Sequence, residues 1–216
     1  MLRILIVIIL SQALPALAQD VPLLAPQVLN EYPHDSKAFT QGLLWDDGYL
    51  YESTGLWGQS SLRRVDIETG VPETTITLDE TYFAEGLERV GDRLIQLTWQ
   101  AGLAFVYDFD SFEHIDTLEY EGEGWGLCYD GRYLFMSDST SRLSIREPES
   151  FELIFRGAVT LEGLVIPPQL LNELECVGEH IYANAWNPDY IFRIDKFTGV
   201  ISAVIAASGL LTAAER

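Results

Sequence analysis

The chain has 216 residues, of which 48% are hydrophobic and 12% aromatic, enough for a sizeable folded core. Its formal net charge of −20 argues against nucleic acid as a partner, because such binding depends on Lys and Arg, and against docking on anionic lipid. The sequence contains no Gly-rich phosphate loop, no nucleophile elbow and no zinc-binding helix. We therefore expect no cofactor and no catalytic metal.

The first predicted element is an export signal at the N-terminus. A basic Arg3 precedes an apolar run from Ile4 to Leu10, and small residues follow at positions 16–18. The run is too short to span a bilayer core of about 30 Å, which disfavours a membrane anchor. We interpret residues 1–18 as a signal peptide cleaved after Ala18, so the mature protein would lie in the periplasm or outside the cell.

From residue 38 onward the sequence contains four copies of one segment. The copies FTQGLLWDDGYLYEST, FAEGLERVGDRLIQLT, EGWGLCYDGRYLFMSD and LLNELECVGEHIYANA align on Leu43, Leu87, Leu127 and Leu174, with steps of 44, 40 and 47 residues. Each copy is followed by an alternating segment that enters an acidic turn, as a strand entering a hairpin does. This period favours a β-propeller over a β-sandwich, and the markers of WD40 repeats are absent. Helical periodicity is confined to Pro168–Glu175 and the C-terminal LLTAAER.

Residues at equivalent repeat positions converge on one axis in a propeller, because the innermost strand of every blade lines the central channel. The residues two positions before the four anchors should share a face and a depth: Gln41, Glu85, Trp125 and Asn172. A second equivalent set follows one strand later: Gly55, Trp99, Ser139 and Trp186. We therefore predict a shared pocket with one carboxylic acid, two amides and up to three indoles.

Ordinary packing explains Glu85 less well than it explains the rest of this set. Tryptophans often pack between blades, and buried amides often satisfy backbone groups. An acid placed between Phe83 and Leu87 on an inner strand is costly to bury without a partner. Burial should raise its pKa toward the range in which a carboxyl group exchanges protons near neutral pH. We predict Glu85 as a general acid/base.

The same segments resemble the glutaminyl-peptide cyclotransferase (glutamine cyclotransferase) family of plant and bacterial type. The resemblance runs from about residue 26 to the C-terminus and rests on FTQGL, YESTGLWGQSSLR, YFAEGL, GWGLCYDG, LNELE and NAW. It implies an all-β fold, a five-bladed propeller. It also implies the activity of a metal-independent acyltransferase that converts the N-terminal glutamine of peptides or proteins to pyroglutamate and releases ammonia. It implies Glu85 as the catalytic acid. It implies these substrate-binding residues: Phe39, Gln41, Phe83, Trp99, Trp125, Asn172 and Trp186.

The resemblance also implies a blade that this sequence does not supply. The family continues through a fifth blade with a T-G-K-x-W-P segment, whose lysine is a candidate site residue, whereas this sequence stops at Arg216. We expect residues 19–216 to form about four blades plus an N-terminal strand near residues 25–33, which closes the ring in the family. Either the chain is a fragment, or its ring closes differently, for example by oligomerisation.

Two other functions stay open at this point. A propeller glycosidase would need two carboxylates across a sugar, and Glu123, Glu173 and Glu175 could lie near Glu85. A propeller that only binds a partner would need no turnover.

The chain has two cysteines, Cys128 and Cys176. They form no metal or redox motif. In an exported protein they could pair in a disulfide, and two buried free thiols are an equal alternative.

Overall fold

The computed structural model describes residues 20–210, and this range contains strands and no helix that could cross a membrane. The predicted signal peptide, residues 1–18, lies outside the described residues. So do residues 211–216, which form most of the C-terminal segment with helical periodicity.

Four sheets follow one another along the chain, each built from four antiparallel strands, and the last has a fifth strand added in parallel at its edge. A two-residue strand precedes them, β1 (Leu23–Leu24). Blade one comprises β2 (Thr40–Asp46), β3 (Tyr49–Thr54), β4 (Ser61–Asp66) and β5 (Pro72–Thr77). Blade two comprises β6 (Ala84–Val90), β7 (Arg93–Thr98), β8 (Leu103–Asp108) and β9 (His114–Glu119).

Blade three comprises β10 (Leu127–Tyr129), β11 (Leu134–Ser137), β12 (Arg142–Arg146) and β13 (Leu153–Ala158). A small hairpin follows, β14 (Thr160–Leu161) and β15 (Leu164–Val165). Blade four comprises β16 (Leu171–Val177), β17 (His180–Ala185), β18 (Tyr190–Asp195) and β19 (Ile201–Ala206). The all-β propeller prediction is confirmed with four blades in residues 20–210, and the five-bladed ring that the resemblance implies is not confirmed by them.

The acidic turns predicted from the repeat are the hairpins between the two outer strands of each blade. Asp66 Oδ1 accepts a hydrogen bond from the Thr69 N–H at 2.8 Å, and Asp195 accepts one from Thr198 at the same distance. Blade two repeats this turn with Asp108. A side-chain oxygen that caps its own turn in this way favours the reversal of the chain.

The inner strands β2, β6, β10 and β16 pack against one another in sequence order. Three hydrophobic clusters fill the wedges between consecutive blades, so the core is divided among the blade interfaces. Leu62 and Leu94 belong to the first wedge, Leu97 and Leu134 to the second, and Ile181 to the third. The side chains of this core therefore hold the blades around a common axis.

Glycine at two equivalent positions allows the inner strands to approach closely. A Cβ atom on Gly86 would lie 2.6 Å from the Trp125 carbonyl oxygen of the next blade, and one on Gly126 would collide with the Asn172 carbonyl oxygen. The Gly86 N–H donates a hydrogen bond to that Trp125 oxygen at 2.7 Å. Only glycine permits this contact, which brings the residue before each glycine toward the axis.

The N-terminal strand lies elsewhere than expected. Residues 25–33 form no strand, and β1 instead pairs in parallel with β19, the outer edge of blade four, with Leu23 opposite Val204. The Val204 N–H donates to the Pro22 carbonyl oxygen at 3.0 Å. Residues 25–33 contain two prolines, Pro26 and Pro33. Because proline lacks a backbone N–H, they disfavour a paired strand there.

The connection between blades three and four explains two departures from the repeat. The hairpin β14–β15 is inserted there, which accounts for the long last step of 47 residues between Leu127 and Leu174. The helical possibility at Pro168–Glu175 is wrong, because Leu171–Val177 is the inner strand of blade four. A short apolar run does not by itself distinguish a helix from a strand.

Cys128 and Cys176 are joined in a disulfide between β10 and β16. Their Cα atoms are 5.4 Å apart, and the bond closes a loop with a sequence separation of 48. Of the two alternatives left open by the sequence, the structure has the disulfide, and it joins the inner strands of blades three and four.

Candidate active site

Irregularities in the inner strands position the predicted polar residues. The pairing of β2 with β3 shifts between Thr40 and Gly42, so Gln41 stands outside the regular ladder. The same shift occurs around Glu85 in β6 and around Asn172 in β16. Bulges of this kind redirect a side chain and are common beside functional sites.

The ends of the inner hairpins bring the second predicted set to the same level. The Trp99 N–H donates to the Phe83 carbonyl oxygen at 2.9 Å, and the Trp186 N–H donates to the Leu170 oxygen at 3.0 Å. Gly55 makes the equivalent bond to Phe39 in blade one. Each of these hydrogen bonds joins a residue that follows the second strand of a blade to a residue at the start of its inner strand. The two predicted sets of residues therefore lie at the same end of the channel.

All eight predicted site residues line a single cavity of about 320 Å³ at this end of the axis. Blade one contributes Phe39 and Gln41, blade two Phe83, Glu85 and Trp99, blade three Trp125, and blade four Asn172 and Trp186. The remaining lining residues are Glu123 and Gln169. Each of the four blades therefore supplies at least one wall.

Glu85 is buried at the base of this cavity, with 5% of its surface exposed. Its Oε1 accepts a hydrogen bond from Gln41 Nε2 at 2.9 Å. Burial raises the pKa of Glu85 to about 9, the Gln41 bond lowers it, and the charge of Glu123 raises it further. The carboxyl group is therefore protonated at neutral pH and can donate a proton.

Glu123 has the opposite electrostatic environment in the same cavity. Its Oε2 accepts a hydrogen bond from Trp125 Nε1 at 3.0 Å, and its Oε1 accepts one from Gln100 Nε2 at 3.3 Å. Burial raises the pKa of Glu123, but hydrogen bonds from Gln100, Trp125, Trp99 and Ser139 outweigh it and hold the pKa below its usual value. The cavity thus combines one protonated and one ionised carboxyl group.

Aromatic rings form most of the remaining wall. Phe83 lies in edge contact with Phe39 and Trp99 at centroid distances of 6.2 and 5.6 Å, and with Trp57, which is not among the lining residues, at 5.7 Å. Trp125 and Trp186 meet at 6.1 Å. Trp186 is 59% exposed and Phe39 is 48% exposed, so the cavity walls from blades four and one include large exposed aromatic side chains.

Sequence reasoning named Glu123 only as an acid that could lie near Glu85 in a glycosidase, and it did not predict Gln169 in the site. Glu123 lies four residues before Leu127, as Phe39 and Phe83 lie four before their anchors, so the repeat contained a signal for it. Gln169 lies in the irregular connection between β15 and β16, where its N–H donates to the Ser139 oxygen at 3.0 Å. No repeat position corresponds to that connection.

A buried ionic network supports the start of β2. Glu52 is almost fully buried and binds the Arg63 guanidinium through Nε at 3.0 Å and through a second, shorter contact. Arg63 also binds Asp35 at 3.0 Å, and Glu52 accepts hydrogen bonds from His34 and Thr40. Because Thr40 lies between Phe39 and Gln41, this network fixes the strand that carries both.

Glu173 lies farther along the channel and does not line the cavity, and neither does Glu175. The Glu173 carboxyl oxygens are shielded from solvent. Burial, together with repulsion from the nearby carboxyl groups of Glu85 and Glu88 when these ionise, raises the pKa of Glu173 well above its usual value. Of the three acids considered as second glycosidase carboxylates, only Glu123 faces the cavity that contains Glu85.

A larger cavity, of about 600 Å³, lies between the outer parts of blades three and four. Its walls include Tyr133, Phe155 and Phe197 and the Lys196–Asp130 ion pair, whose charged atoms are 2.8 Å apart. It contains none of the predicted site residues. Within residues 20–210, no group of three or more His, Cys, Asp or Glu side chains is arranged to hold a metal ion.

The fold and the axial cavity define a β-propeller protein with a buried acid in an aromatic, amide-lined site. The chain belongs to the glutamine cyclotransferase family, whose sequence model matches residues 2–216. It is 40% identical over 186 residues to the glutaminyl-peptide cyclotransferase of Arabidopsis thaliana, an alignment covering 85% of this chain and 58% of that protein. The chain therefore spans little more than half the length of this curated relative.

Solved structures agree with this assignment. The crystal structure of Myxococcus xanthus glutaminyl cyclase superposes with a TM-score of 0.81 at 40% identity, covering 89% of this chain and 80% of that one. The Neurospora crassa Pan2 WD40 domain superposes with a TM-score of 0.52 at 12% identity, covering 77% of this chain and 64% of that one. The second likeness concerns the fold alone.

Proposed function

We propose that this chain is a glutaminyl-peptide cyclotransferase, which converts the N-terminal glutamine of peptides or proteins to pyroglutamate and releases ammonia. The observation that carries the proposal is the buried Glu85 carboxyl group, hydrogen-bonded by Gln41 at 2.9 Å in a cavity walled by indoles and amides. The names of the Arabidopsis and Myxococcus relatives describe the same reaction.

In the proposed reaction the neutral α-amine attacks the side-chain amide carbon, and a C–N bond forms as the carbonyl electrons move to oxygen. The Glu85 carboxyl group donates its proton to the amide nitrogen that leaves. The resulting carboxylate takes the proton that the attacking nitrogen gives up. The old C–N bond then breaks, ammonia departs, and Glu85 is again protonated, so one group serves both transfers.

The other lining residues have supporting roles in this proposal. Gln41 and Asn172 hold the substrate amide and stabilise the developing oxyanion. Aromatic walls favour the folded-back substrate conformer that ring closure needs, and exclude water. These walls are Phe39, Phe83, Trp99, Trp125 and Trp186. No step in this scheme requires a metal or a cofactor.

Turnover of a Gln-initiated peptide tests the proposal. Incubation should release ammonia and produce the corresponding mass loss, and Glu85→Gln should abolish both without lowering the midpoint of thermal unfolding. Activity that survives Glu85→Gln would remove Glu85 from its role. Loss of activity on treatment with a chelator would contradict the metal-free scheme, and an inactive but folded wild-type chain would favour a binding module.

We propose further that the complete ring has five blades. β16 of blade four and β2 of blade one do not pack together as the other neighbouring inner strands do. Exposed apolar side chains, Leu43 and Trp45, lie on the inner strand of blade one. A further blade inserted between blades four and one would cover them. Sedimentation and scattering of the 216-residue chain would reveal whether a second copy covers them instead.

We also propose that the protein is exported to the periplasm or beyond, with its signal peptide removed after Ala18. The disulfide between Cys128 and Cys176 supports this, because such bonds persist in oxidising compartments. The strong negative charge supports the expectation that the mature protein binds neither nucleic acid nor an anionic membrane surface. N-terminal sequencing of protein from cell fractions would test both the site of cleavage and the compartment.

A further inference from the structure

We propose that Glu123 is the residue that binds the positively charged N-terminus of the substrate in the axial cavity. The inference rests on the proposed function and deepens it, because it assigns recognition of the α-ammonium group to a second acid distinct from Glu85. Glu123 lines the same cavity as Glu85, yet the repeat places it at the position that Phe39 and Phe83 occupy in blades one and two.

The charge inventory of the cavity supports this role. Its ten lining residues include two acids, three amides and five aromatic residues, and no Lys or Arg. No basic side chain of the lining therefore neutralises Glu123. A cationic ligand would supply the missing positive charge, whereas a second carboxylate would be repelled.

The hydrogen bonds of Glu123 hold its carboxylate in one orientation. Trp125 Nε1 binds Oε2 at 3.0 Å, and Gln100 Nε2 binds Oε1 at 3.3 Å. Trp99 and Ser139 also approach this carboxylate, and its negative charge would attract an ammonium group without requiring an unoccupied lone pair. A charge-assisted bond to a fixed carboxylate is stronger than one between neutral groups.

The surrounding rings suit a cation as well. Trp125 donates its N–H to Glu123 and meets Trp186 at a centroid distance of 6.1 Å, and both indoles line the cavity that Glu123 lines. Indole faces attract ammonium groups within about 6 Å. An α-ammonium bound here would lie in the cavity that also contains Glu85, to which the substrate amide is presented.

Binding of two matched peptides tests the inference without requiring turnover. One begins with norleucine, which cannot cyclise, and the other begins with a hexanoyl group, which has the same carbon chain without the amine. At pH 6.5 the wild-type chain should bind the norleucyl peptide about 10- to 100-fold more tightly in calorimetry. Glu123→Gln should remove this preference, and Glu123→Asp should retain part of it. Glu121→Gln, a change at an exposed neighbouring acid, should retain all of it.

Kinetics with a Gln-initiated peptide provide a second readout. Glu123→Gln should raise KM by a similar factor and should not lower kcat, because the ammonium contact is made by the bound substrate and is given up when the neutral amine attacks. A Glu123→Gln variant that keeps the preference for the amine, or a wild-type chain that has none, would overturn the inference. The chain could also prefer the norleucyl peptide, lose that preference in Glu123→Gln, and release no ammonia from a Gln-initiated peptide. That result would support the role of Glu123 and reject the proposed function.

Discussion

Gln41 Nε2 donates a hydrogen bond to Glu85 Oε1 at 2.9 Å, joining the inner strands of blades one and two at the axis. The two residues are 44 positions apart in the sequence and occupy the same position in their repeats. The bond ties the buried acid to an amide that also lines the axial cavity. In the reaction that we propose, this one contact would couple the orientation of the proton donor to the binding of the substrate.

Gln41→Ala should lower kcat/KM for a Gln-initiated peptide by about 100-fold, because it removes both the partner of Glu85 and a donor to the substrate amide. The same change should raise the pKa of Glu85, since the Gln41 hydrogen bond lowers it. Steady-state kinetics measure the loss. Gln59→Ala, at an exposed position outside the cavity, is the control and should leave kcat/KM unchanged.

The pH dependence of kcat/KM should follow two groups. The α-amine of the substrate, with a pKa of about 8, must be neutral to attack, so activity rises through that range. Glu85 must be protonated to donate, so activity should fall as pH rises through about 9. Glu123→Gln should move the falling limb to lower pH, because the charge of Glu123 raises the pKa of Glu85. A profile that stays flat to pH 10.5 would contradict the assignment of Glu85.

Glu173→Gln should stabilise the fold at pH 8 and have little effect at pH 4. The pKa of Glu173 is raised in the folded state, so its contribution to stability is present below the unfolded pKa and is lost as pH rises toward the folded value. The neutral amide removes that loss, which we expect to exceed about 1 kcal/mol at pH 8. Urea unfolding at both pH values measures it, with the exposed Glu179→Gln as control. Equal stabilisation at pH 4 and pH 8 would argue against a role for ionisation.

Arg63→Met should lower the free energy of unfolding by about 3–5 kcal/mol, because it leaves the buried Glu52 carboxylate without its cationic partner. The adjacent Arg64 pairs with Glu73 at the surface, with charged atoms 3.3 Å apart. Arg64→Met is therefore a matched control and should cost no more than about 1 kcal/mol. Denaturant titration compares the two variants. Similar losses in both would show that the buried network contributes no more than a surface ion pair.

Much of the site could be predicted because a propeller converts repeat position into spatial position. Gln41, Glu85, Trp125 and Asn172 are far apart in the chain, but each lies two residues before its anchor, and all four line the cavity. The alternating pattern of the strands likewise predicted the all-β fold. The chemical roles of these residues stay predictions, which turnover experiments will test.

The amino-acid sequence by itself determined the strand pattern, the fourfold repeat and the convergence of equivalent residues, because these follow from local periodicity and from the closure of blades around an axis. Only the tertiary structure decided the ion pairs, the Cys128–Cys176 disulfide, the pairing of β1 with β19 and the entry of Gln169 into the cavity. Those features depend on the distances between segments that the repeat does not relate. The opposite shifts in the pKa values of Glu85 and Glu123 also depend on the tertiary structure, because they arise from burial and from hydrogen-bond donors that several blades supply.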